Sequence, residues 1–284
     1  MKSSIECVPC MVRQALEATG NAITDPVKRE QVFRGILLDL VEMDFSQSPP
    51  AAAQMLHRRL RGESGVADPY RAAKERFNAM AMSLMPAFEE KIARFPDPFD
   101  AAVRLAIAGN VIDLGAKGDF NEDEAFAAME RAFDLPVEGD VGAFREAALS
   151  SPSILYLADN AGEIVFDRSL IRALPRGKVT VAVRGRPVIN DATMEDAVVA
   201  GIPAMARVIE NGSDAPGTIL ADCSREFVDV YIAADLVIAK GQGNYETLSD
   251  ERKNIFFLFK VKCASVASHS GFSMGTHALV RSPG

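Results

Sequence analysis

The chain has 284 residues, and 31 Lys and Arg against 39 Asp and Glu give a formal net charge of −8. Hydrophobic residues make up 48% and charged residues 25%, which excludes a disordered or collagen-like chain. No apolar run reaches the length of a membrane span, and the N-terminus lacks the apolar segment of a secretory signal, so we expect a cytoplasmic protein. The acidic balance argues against a nucleic-acid-binding protein, which presents a basic face.

The cysteines include one CxxC pair, Cys7 and Cys10, for which helix-start residues, a redox pair and a soft-metal site are all open interpretations. We interpret Cys223 and Cys263 as buried apolar side chains. The three histidines stand in no metal-ligand spacing, which argues against zinc and Ser-His-Asp chemistry. We predict that Cys7 and Cys10 are dispensable for the chemical step, because they lie far in sequence from every oxygen ligand proposed below.

Residues 1 to about 110 have the pattern of helices. Apolar side chains recur at helical spacing from Val8 to Leu16. Four pairs in which proline follows an Asp or Ser cap mark helix starts: Asp25-Pro26, Ser48-Pro49, Asp68-Pro69 and Asp97-Pro98. The third pair starts a long helix toward Arg94, in which Pro86 predicts a kink. Asn121 and Glu124 predict one more helix start, with the spacing of a capping box.

After Ser150 short apolar runs alternate with helical patterns. The predicted strands are Ile154–Leu157, Val179–Val183, Arg207–Ile209, Leu236–Ala239 and Cys263–Ala267. The predicted helices are Glu163–Leu174, Met194–Ala200, Arg225–Ala233 and Tyr245–Phe259. This alternation predicts a parallel sheet with helices on both faces. Such sheets bind ligands beyond the carboxyl ends of their strands, so the polar residues there are the candidate site.

Oxygen-bearing side chains follow the first two predicted strands. Asp159 and Asn160 end the first strand, and Asp191 follows the second. Two carboxylates, one amide and water suit Mg²⁺, Mn²⁺ or a related divalent ion. The alternative interpretation is that these residues only cap helices. Lys240 ends the fourth strand beside two glycines, where it suits a phosphate oxygen. The alternative interpretation is a buried side-chain stem with its ammonium at the strand end.

Two further segments have open interpretations. Arg184 and Arg186 follow the second strand and either hold a phosphate or are solvated loop charges. The polar loop 210–218 either cradles an anion with its backbone N–H groups or is a plain cluster of turns. Oxygen ligands for a divalent ion, with Lys and Arg side chains nearby, fit phosphoryl transfer to water better than histidine-based chemistry.

At these residues the sequence resembles the metal-dependent damage-control phosphatase family, first catalogued as a domain of unknown function. The matching segments occur in order along nearly the whole chain: Glu6–Cys10, Ala108–Asp113, Leu157–Glu163, Val188–Thr193, Asp214–Thr218 and Lys240–Glu246. The CxxC start is similar to the prokaryotic branch of that family.

The resemblance implies a three-layer α/β/α sandwich with a mainly parallel, Rossmann-like sheet and a helical N-terminal region. It implies a divalent metal, Mn²⁺, Mg²⁺, Co²⁺ or Ni²⁺, held by Asp159, Asn160 and Asp191. Asn110 and Lys240 are implied contacts of the substrate or its phosphate. Phe259–Lys262 matches only loosely the Arg-Thr-x-Lys signature of another branch, which leaves Lys262 as a further phosphate-binding candidate. Family members act on harmful or misrouted phosphorylated metabolites, often sugar phosphates.

We therefore predict a helical region over residues 1–110 and an α/β domain over 111–284 that binds metal and phosphate. The expected activity is hydrolysis of a small phosphorylated metabolite, in which the metal polarises the phosphoryl group and lowers the pKa of water. Asp159, Asn160 and Asp191 are the predicted catalytic residues. The substrate, the metal and the oligomeric state stay open.

Three other functions compete with this prediction. A haloacid-dehalogenase-type phosphatase needs Asp-x-Asp after the first strand, and Ala161 stands where the second carboxylate belongs. A nucleotide-cofactor methyltransferase needs a glycine-rich first loop, for which 161–163 is a poor match. A non-enzymatic metal or redox protein would use Cys7 and Cys10 and leave the acidic residues as caps.

Overall fold

The structure, a computed structural model, describes residues 1–110 and 122–283. Its helices are α1 Val8–Ala22, α2 Pro26–Val41, α3 Pro49–Ser64, α4 Arg71–Arg94, α5 Pro98–Ala108, α6 Glu122–Ala132, α7 Val141–Ser150, α8 Glu163–Ala173, α9 Met194–Val199, α10 Arg225–Ala233, α11 Gly241–Leu248 and α12 Ala264–Ser270. No helix in this part of the chain combines the length and apolarity needed to cross a membrane.

The strands form one sheet in the order β1-β7-β6-β5-β2-β3-β4. They are β1 Val137–Glu138, β2 Ile154–Leu157, β3 Val179–Val183, β4 Arg207–Glu210, β5 Leu236–Lys240, β6 Ile255–Lys260 and β7 His277–Arg281. Every neighbouring pair is parallel except β6 and β7. This confirms the predicted α/β class and the mainly parallel sheet.

Side chains of the central strands alternate between two cores. In β2, Ile154 and Tyr156 belong to a core with α4, α5 and α8, whereas Leu155 and Leu157 belong to a core with α10 and α11. Successive residues of a strand point to opposite faces, and both faces are covered, so β2 is buried throughout. The sheet is thus the middle layer between two layers of helices.

The N-terminal helices divide between two cores. Residues of α1, α2 and α3, among them Ala15, Ile36 and Leu56, form a hydrophobic cluster of their own. Residues of α4 and α5, such as Phe88 and Ile107, pack into the same cluster as the sheet. The division into 1–110 and 111–284 stays a prediction.

Caps fix several helix starts. Asp25 accepts a hydrogen bond from the Val27 N–H, and Asp97 accepts from the N–H groups of Phe99 and Asp100. Both helices start where the Asp-Pro pairs predict. The Asp68-Pro69 pair instead forms a turn, in which Asp68 accepts from the Tyr70 N–H, and α4 starts only at Arg71. The predicted start at Asn121 lies outside the described residues.

Two elements near the C-terminus differ from the prediction. The apolar run expected to continue a helix from Tyr245 to Phe259 is divided, with α11 ending at Leu248 and residues 255–260 forming β6. The expected fifth strand Cys263–Ala267 is instead the beginning of α12. A short apolar run has no period that separates a buried strand from a buried helix.

Candidate active site

The candidate site lies where the strand order reverses. β2 pairs with β3 on one side and with β5 on the other, so the chain turns away in opposite directions from their carboxyl ends. Parallel α/β sheets bind ligands at this topological switch point. Asp159 follows β2, Asp191 follows β3, and Lys240 ends β5.

Backbone pairing brings the two aspartates together. Asn160 and Asp191 form an isolated antiparallel bridge. The Ala192 N–H donates to the Asp159 carbonyl at 2.8 Å, and the Ala161 N–H donates to the Asn190 carbonyl at 2.8 Å. The loops after β2 and β3 are thereby held side by side, although 32 positions separate Asp159 from Asp191.

The predicted oxygen ligands are buried together with Asn110 and Glu163. Asp159 is 8%, Asn160 7% and Asp191 4% exposed. The Nδ2 atoms of Asn110 and Asn160 both donate to Asp159 Oδ2 at 2.8 Å. The same two amides donate to Glu163 Oε2 at 2.7 and 3.0 Å. The structure thus brings Asn110 to Asp159, while residues 111–113 of the same motif lie outside the described part of the chain.

Arg184 holds the second aspartate. Its Nε donates to Asp191 Oδ2 at 2.6 Å, and its Nη2 lies 3.9 Å from Asp159 Oδ1. Its guanidinium also donates to Asn244 Oδ1 at 3.4 Å, and Asn244 in turn donates to the Lys240 carbonyl at 2.7 Å. Arg184 is 2% exposed, so it is not a solvated loop charge, and its binding of a phosphate stays a prediction.

Lys240 is fully buried and makes three hydrogen bonds. Its Nζ donates to the Ala106 carbonyl at 2.7 Å, to Glu163 Oε1 at 2.8 Å and to Asp167 Oδ1 at 2.6 Å. An ammonium has three donors, so these partners take all of them. The predicted phosphate contact of Lys240 stays a prediction, and the contacts favour an indirect role through Glu163.

Gly241 allows the Asp159 carboxylate to lie directly on the backbone. Its φ is +79°, and a Cβ there would stand 1.8 Å from Asp159 Oδ2. Only glycine combines this conformation with so close an approach. The glycine after Lys240 therefore forms one wall of a small cradle around Asp159.

The buried side chains of the site include four carboxyl groups, of Asp159, Glu163, Asp167 and Asp191, against the two cations Arg184 and Lys240. Burial, with the carboxylates of Glu163 and Asp191, raises the pKa of Asp159 well above its ordinary value. Arg184 and Lys262 oppose this rise, so the Lys262 ammonium lies close enough to act on Asp159. Its own backbone N–H donates to Gln242 Oε1 at 3.0 Å. The structure thus brings Lys262 toward the predicted ligands.

The residues present fit a hard divalent cation. Asn110 Oδ1 is a buried oxygen without a hydrogen-bond partner among the described residues, and it belongs to the amide bound to Asp159. An unpaired carbonyl oxygen beside an excess of carboxylate charge is the donor chemistry that Mg²⁺ and Mn²⁺ accept. Within residues 1–110 and 122–283, no group of three or more His, Cys, Asp or Glu is arranged for a metal, so amide oxygens would complete the set.

The polar loop after β4 is fastened to the helical region. Asp214 binds Arg58 at 2.6 Å and also binds Arg61, both on α3. Gln54 of the same helix donates to Asp214 Oδ1 at 2.7 Å. These side-chain contacts favour a structural role for the loop over an anion cradle.

The CxxC pair lies beside α12, with the Cys7 Sγ 3.8 Å from Ser265 Oγ. Gln242 follows Gly241 and donates to Cys263 Sγ at 3.5 Å. Burial, and then the charges of Cys263 and Glu246, raise the pKa of Cys10. Reactive thiols instead have lowered pKa values, so Cys10 lacks the environment of a nucleophile. The dispensability of Cys7 and Cys10 stays a prediction.

Sequence patterns do not predict the roles of three residues of the site. They indicate only a helix start for Glu163, leave two interpretations open for Arg184 and do not mark Asn244. Each follows a strand end by a few positions, which is the one available signal. What each contacts depends on the neighbouring strands, and a single sequence does not contain that information.

The family is decided by comparison with known proteins. The model of the damage-control phosphatase ARMT1-like domain matches residues 3–277. The chain belongs to this family. The match confirms the resemblance seen in the sequence and the predicted phosphatase activity.

The sequence of this chain aligns with damage-control phosphatases over almost their whole length. A damage-control phosphatase of Archaeoglobus fulgidus is 38% identical, covering 97% of each chain, and one of Pyrococcus horikoshii is 33% identical, covering 99% of this chain and 98% of the other. A crystal structure of a DUF89 family protein from Pyrococcus horikoshii has a TM-score of 0.91 at 32% identity and covers 99% of each chain. The sandwich fold is therefore shared with this phosphatase family.

Proposed function

We propose that this phosphatase depends on a divalent metal ion and hydrolyses small phosphorylated metabolites such as sugar phosphates. Asp159, Asn160 and Asp191 would hold the ion, with Mn²⁺, Mg²⁺, Co²⁺ and Ni²⁺ as candidates. The cytoplasmic location and the lack of a nucleic-acid partner stay predictions.

The observation that carries this proposal is the buried pair of aspartates at the switch point. Two carboxylates from neighbouring strand ends lie 8% and 4% exposed, and the Nη2 atom of Arg184 is 3.9 Å from an Asp159 oxygen. Arg184 is already paired with Asp191 at 2.6 Å, so its distance of 3.9 Å leaves the Asp159 carboxylate with a weaker counter-charge, and burying such a carboxylate is costly. A divalent ion offsets that cost, whereas a plain helix cap does not need two buried acids.

Other residues of the chain would orient the side chains around the ion. When bound, a divalent ion polarises a phosphoryl oxygen and lowers the pKa of water. Arg184 fixes the orientation of Asp191 through its 2.6 Å hydrogen bond. Lys240 fixes Glu163, whose other oxygen receives the amides of Asn110 and Asn160. The ligands are thereby preorganised before substrate arrives.

Phosphate contacts are proposed for Asn110, Lys240 and Lys262. Lys262 is exposed, and its charge already acts on Asp159, which favours it as the cation that meets the phosphate. Asn110 reaches the same carboxylate from the end of the α5 segment. Lys240 would have to give up one of its three partners to touch a phosphate, so its proposed part is to position Glu163.

The test is a hydrolysis screen over phosphorylated sugars and p-nitrophenyl phosphate, with and without each of the four metals. We expect activity that chelation removes and that Asp159→Asn lowers at saturating metal by at least about 100-fold, roughly 2.7 kcal/mol. Asp229→Asn, an exposed aspartate on α10, is the matched control. Full turnover in the chelated enzyme would reject the metal dependence, and near-wild-type turnover in Asp159→Asn would reject the site.

A further inference from the structure

A cavity of about 680 Å³ opens between α1, the start of α4 and the loop after β3. Its volume falls in the range of small-molecule sites. Ile189 and Asn190 form part of its wall, directly before Asp191. The cavity therefore reaches the segment that carries one of the proposed metal ligands.

The loop wall of this cavity is held in an unfavourable backbone conformation. Ile189 has a φ of 45°, in the left-handed region that β-branched residues avoid. Such strain persists where the surrounding structure enforces it, and it is concentrated at functional sites. The Asn190 carbonyl, bound to the Ala161 N–H at 2.8 Å, ties this wall to the Asp159 loop.

Positive charge predominates in the cavity. Arg13 of α1, Arg29 of α2 and Arg76 of α4 line it, against one carboxylate, Glu17. Among the described residues, Arg13 and Arg76 form no ion pair with a carboxylate, whereas Arg71, also on α4, is paired with Glu75. Arg29 donates to the Leu16 carbonyl at 3.2 Å. Two guanidinium groups thus face the cavity with their donors available.

We propose that Arg13 and Arg76 bind a second anionic group of the substrate, at the end away from the phosphate that is hydrolysed. Guanidinium donors recognise carboxylate and phosphate through paired, charge-assisted hydrogen bonds. The substrate class is then a phosphorylated metabolite that carries an additional carboxylate or phosphate. This inference deepens the function proposed above and rests on it.

Binding is tested by calorimetry on the chelated protein with three probes: glucose 6-phosphate, 6-phosphogluconate and glucose 1,6-bisphosphate. The last two add a carboxylate and a second phosphate to the same carbon chain. We expect tighter binding of both doubly anionic probes, and Arg13→Gln with Arg76→Gln should weaken that binding by about 10- to 100-fold, the value of hydrogen bonds to charged groups. Glucose 6-phosphate binding should change less than about twofold.

Arg34→Gln is the matched control, because Arg34 is an exposed arginine of α2 outside the cavity, paired with Glu30. It removes the same charge and should leave all three affinities unchanged. Equal weakening for all three probes, or the same loss in Arg34→Gln, would overturn the proposal. A loss for only one doubly anionic probe would support it and identify the anion as carboxylate or phosphate.

Hydrolysis of the same probes with added metal separates the two claims. If the wild type releases phosphate but the arginine variants show no selective rise in KM for the doubly anionic probes, the cavity proposal fails and the phosphatase proposal stands. If no probe is hydrolysed under any metal but the calorimetric selectivity persists, the anion subsite stands and the metal-dependent activity toward such metabolites fails.

Discussion

At the scale of single residues, the close contact between Asp159 and Gly241 decides the shape of the site. The carboxylate occupies space that any side chain at position 241 would need. The backbone there is also left-handed, with a φ of +79°. Glycine is therefore required at position 241 for two reasons, the left-handed backbone conformation and the lack of space for a side chain.

Gly241→Ala should lower metal-dependent kcat/KM on the order of 100-fold, the cost of displacing a ligand by about 1 Å. Steady-state kinetics with p-nitrophenyl phosphate measures the loss. Gly271→Ala is the matched control, since Gly271 has a φ of +78° but nothing within 4 Å of its added Cβ. The control should cost only the backbone strain, about 1–2 kcal/mol of stability, and keep its activity. Equal kinetics in the two variants would contradict the cradle.

The ion pairs of Lys240 indicate its role in the site. Its charge compensates Glu163 and Asp167, both at most 1% exposed. Burial alone would lower the Lys240 pKa, but Asp167 and Glu163 raise it above its ordinary value. The ammonium therefore stays charged as the centre of a buried network.

Lys240→Met should destabilise the protein by about 3–5 kcal/mol, because it leaves two carboxyl groups without their cation. Urea unfolding measures this change. Adding Asp167→Asn should recover part of the loss, since it removes one of the stranded charges. Unchanged stability together with a large loss of catalytic efficiency would instead support a direct phosphate contact.

At the scale of elements, α11 joins the site to the N-terminal segment. It begins at Gly241 and carries Glu246, which accepts a hydrogen bond from Gln242 at 2.9 Å. The N-terminal ammonium of Met1 donates to the Glu246 carbonyl at 2.6 Å. Burial raises the pKa of the Glu246 side chain to about 7.

This pKa predicts a pH-dependent stability. A carboxyl group with a raised folded-state pKa stabilises the fold while protonated, so the free energy of unfolding should fall as pH rises from about 4.5 to about 7. The full effect is about 3 kcal/mol, since each pKa unit is worth about 1.4 kcal/mol. Glu246→Gln should flatten this slope in urea titrations at several pH values, and Glu226→Gln, on an exposed glutamate of α10, should not. A slope unchanged in Glu246→Gln would contradict the assignment.

Sequence patterns predict some strands of the sheet but not others. β2, β3 and β5 are short, apolar and followed by polar residues, so their positions and their carboxyl ends follow from composition alone. β6 is as apolar as they are, but it follows α11 closely, and its aromatic residues continue the helical pattern. It pairs with β5 in parallel and with β7 in antiparallel orientation, where Phe257 stands opposite Val280. That long-range pairing decides strand over helix, and no local pattern contains it.

For the whole molecule, the sequence predicts where the proposed metal ligands lie in the fold, but it does not predict the contacts that support them. Asp159, Asn160 and Asp191 stand at strand ends, and a parallel sheet gathers strand ends at one edge. Arg184 and Glu163 act through contacts that exist only once β2, β3 and β5 lie side by side. The sequence alone also does not predict the arginine-lined cavity, because α1 and α4 come together only in the folded chain.

In the proposed site, Asp159 and Asp191 together hold the divalent ion on which the phosphatase activity depends. Calorimetric titration of Mn²⁺ into the wild type, Asp159→Asn, Asp191→Asn and the control Asp229→Asn measures the part of both residues in binding the ion. We expect each ligand variant to bind Mn²⁺ at least about 10-fold more weakly, while Asp229→Asn matches the wild type and all four proteins keep the same circular dichroism. Wild-type Mn²⁺ affinity in both Asp159→Asn and Asp191→Asn would contradict it.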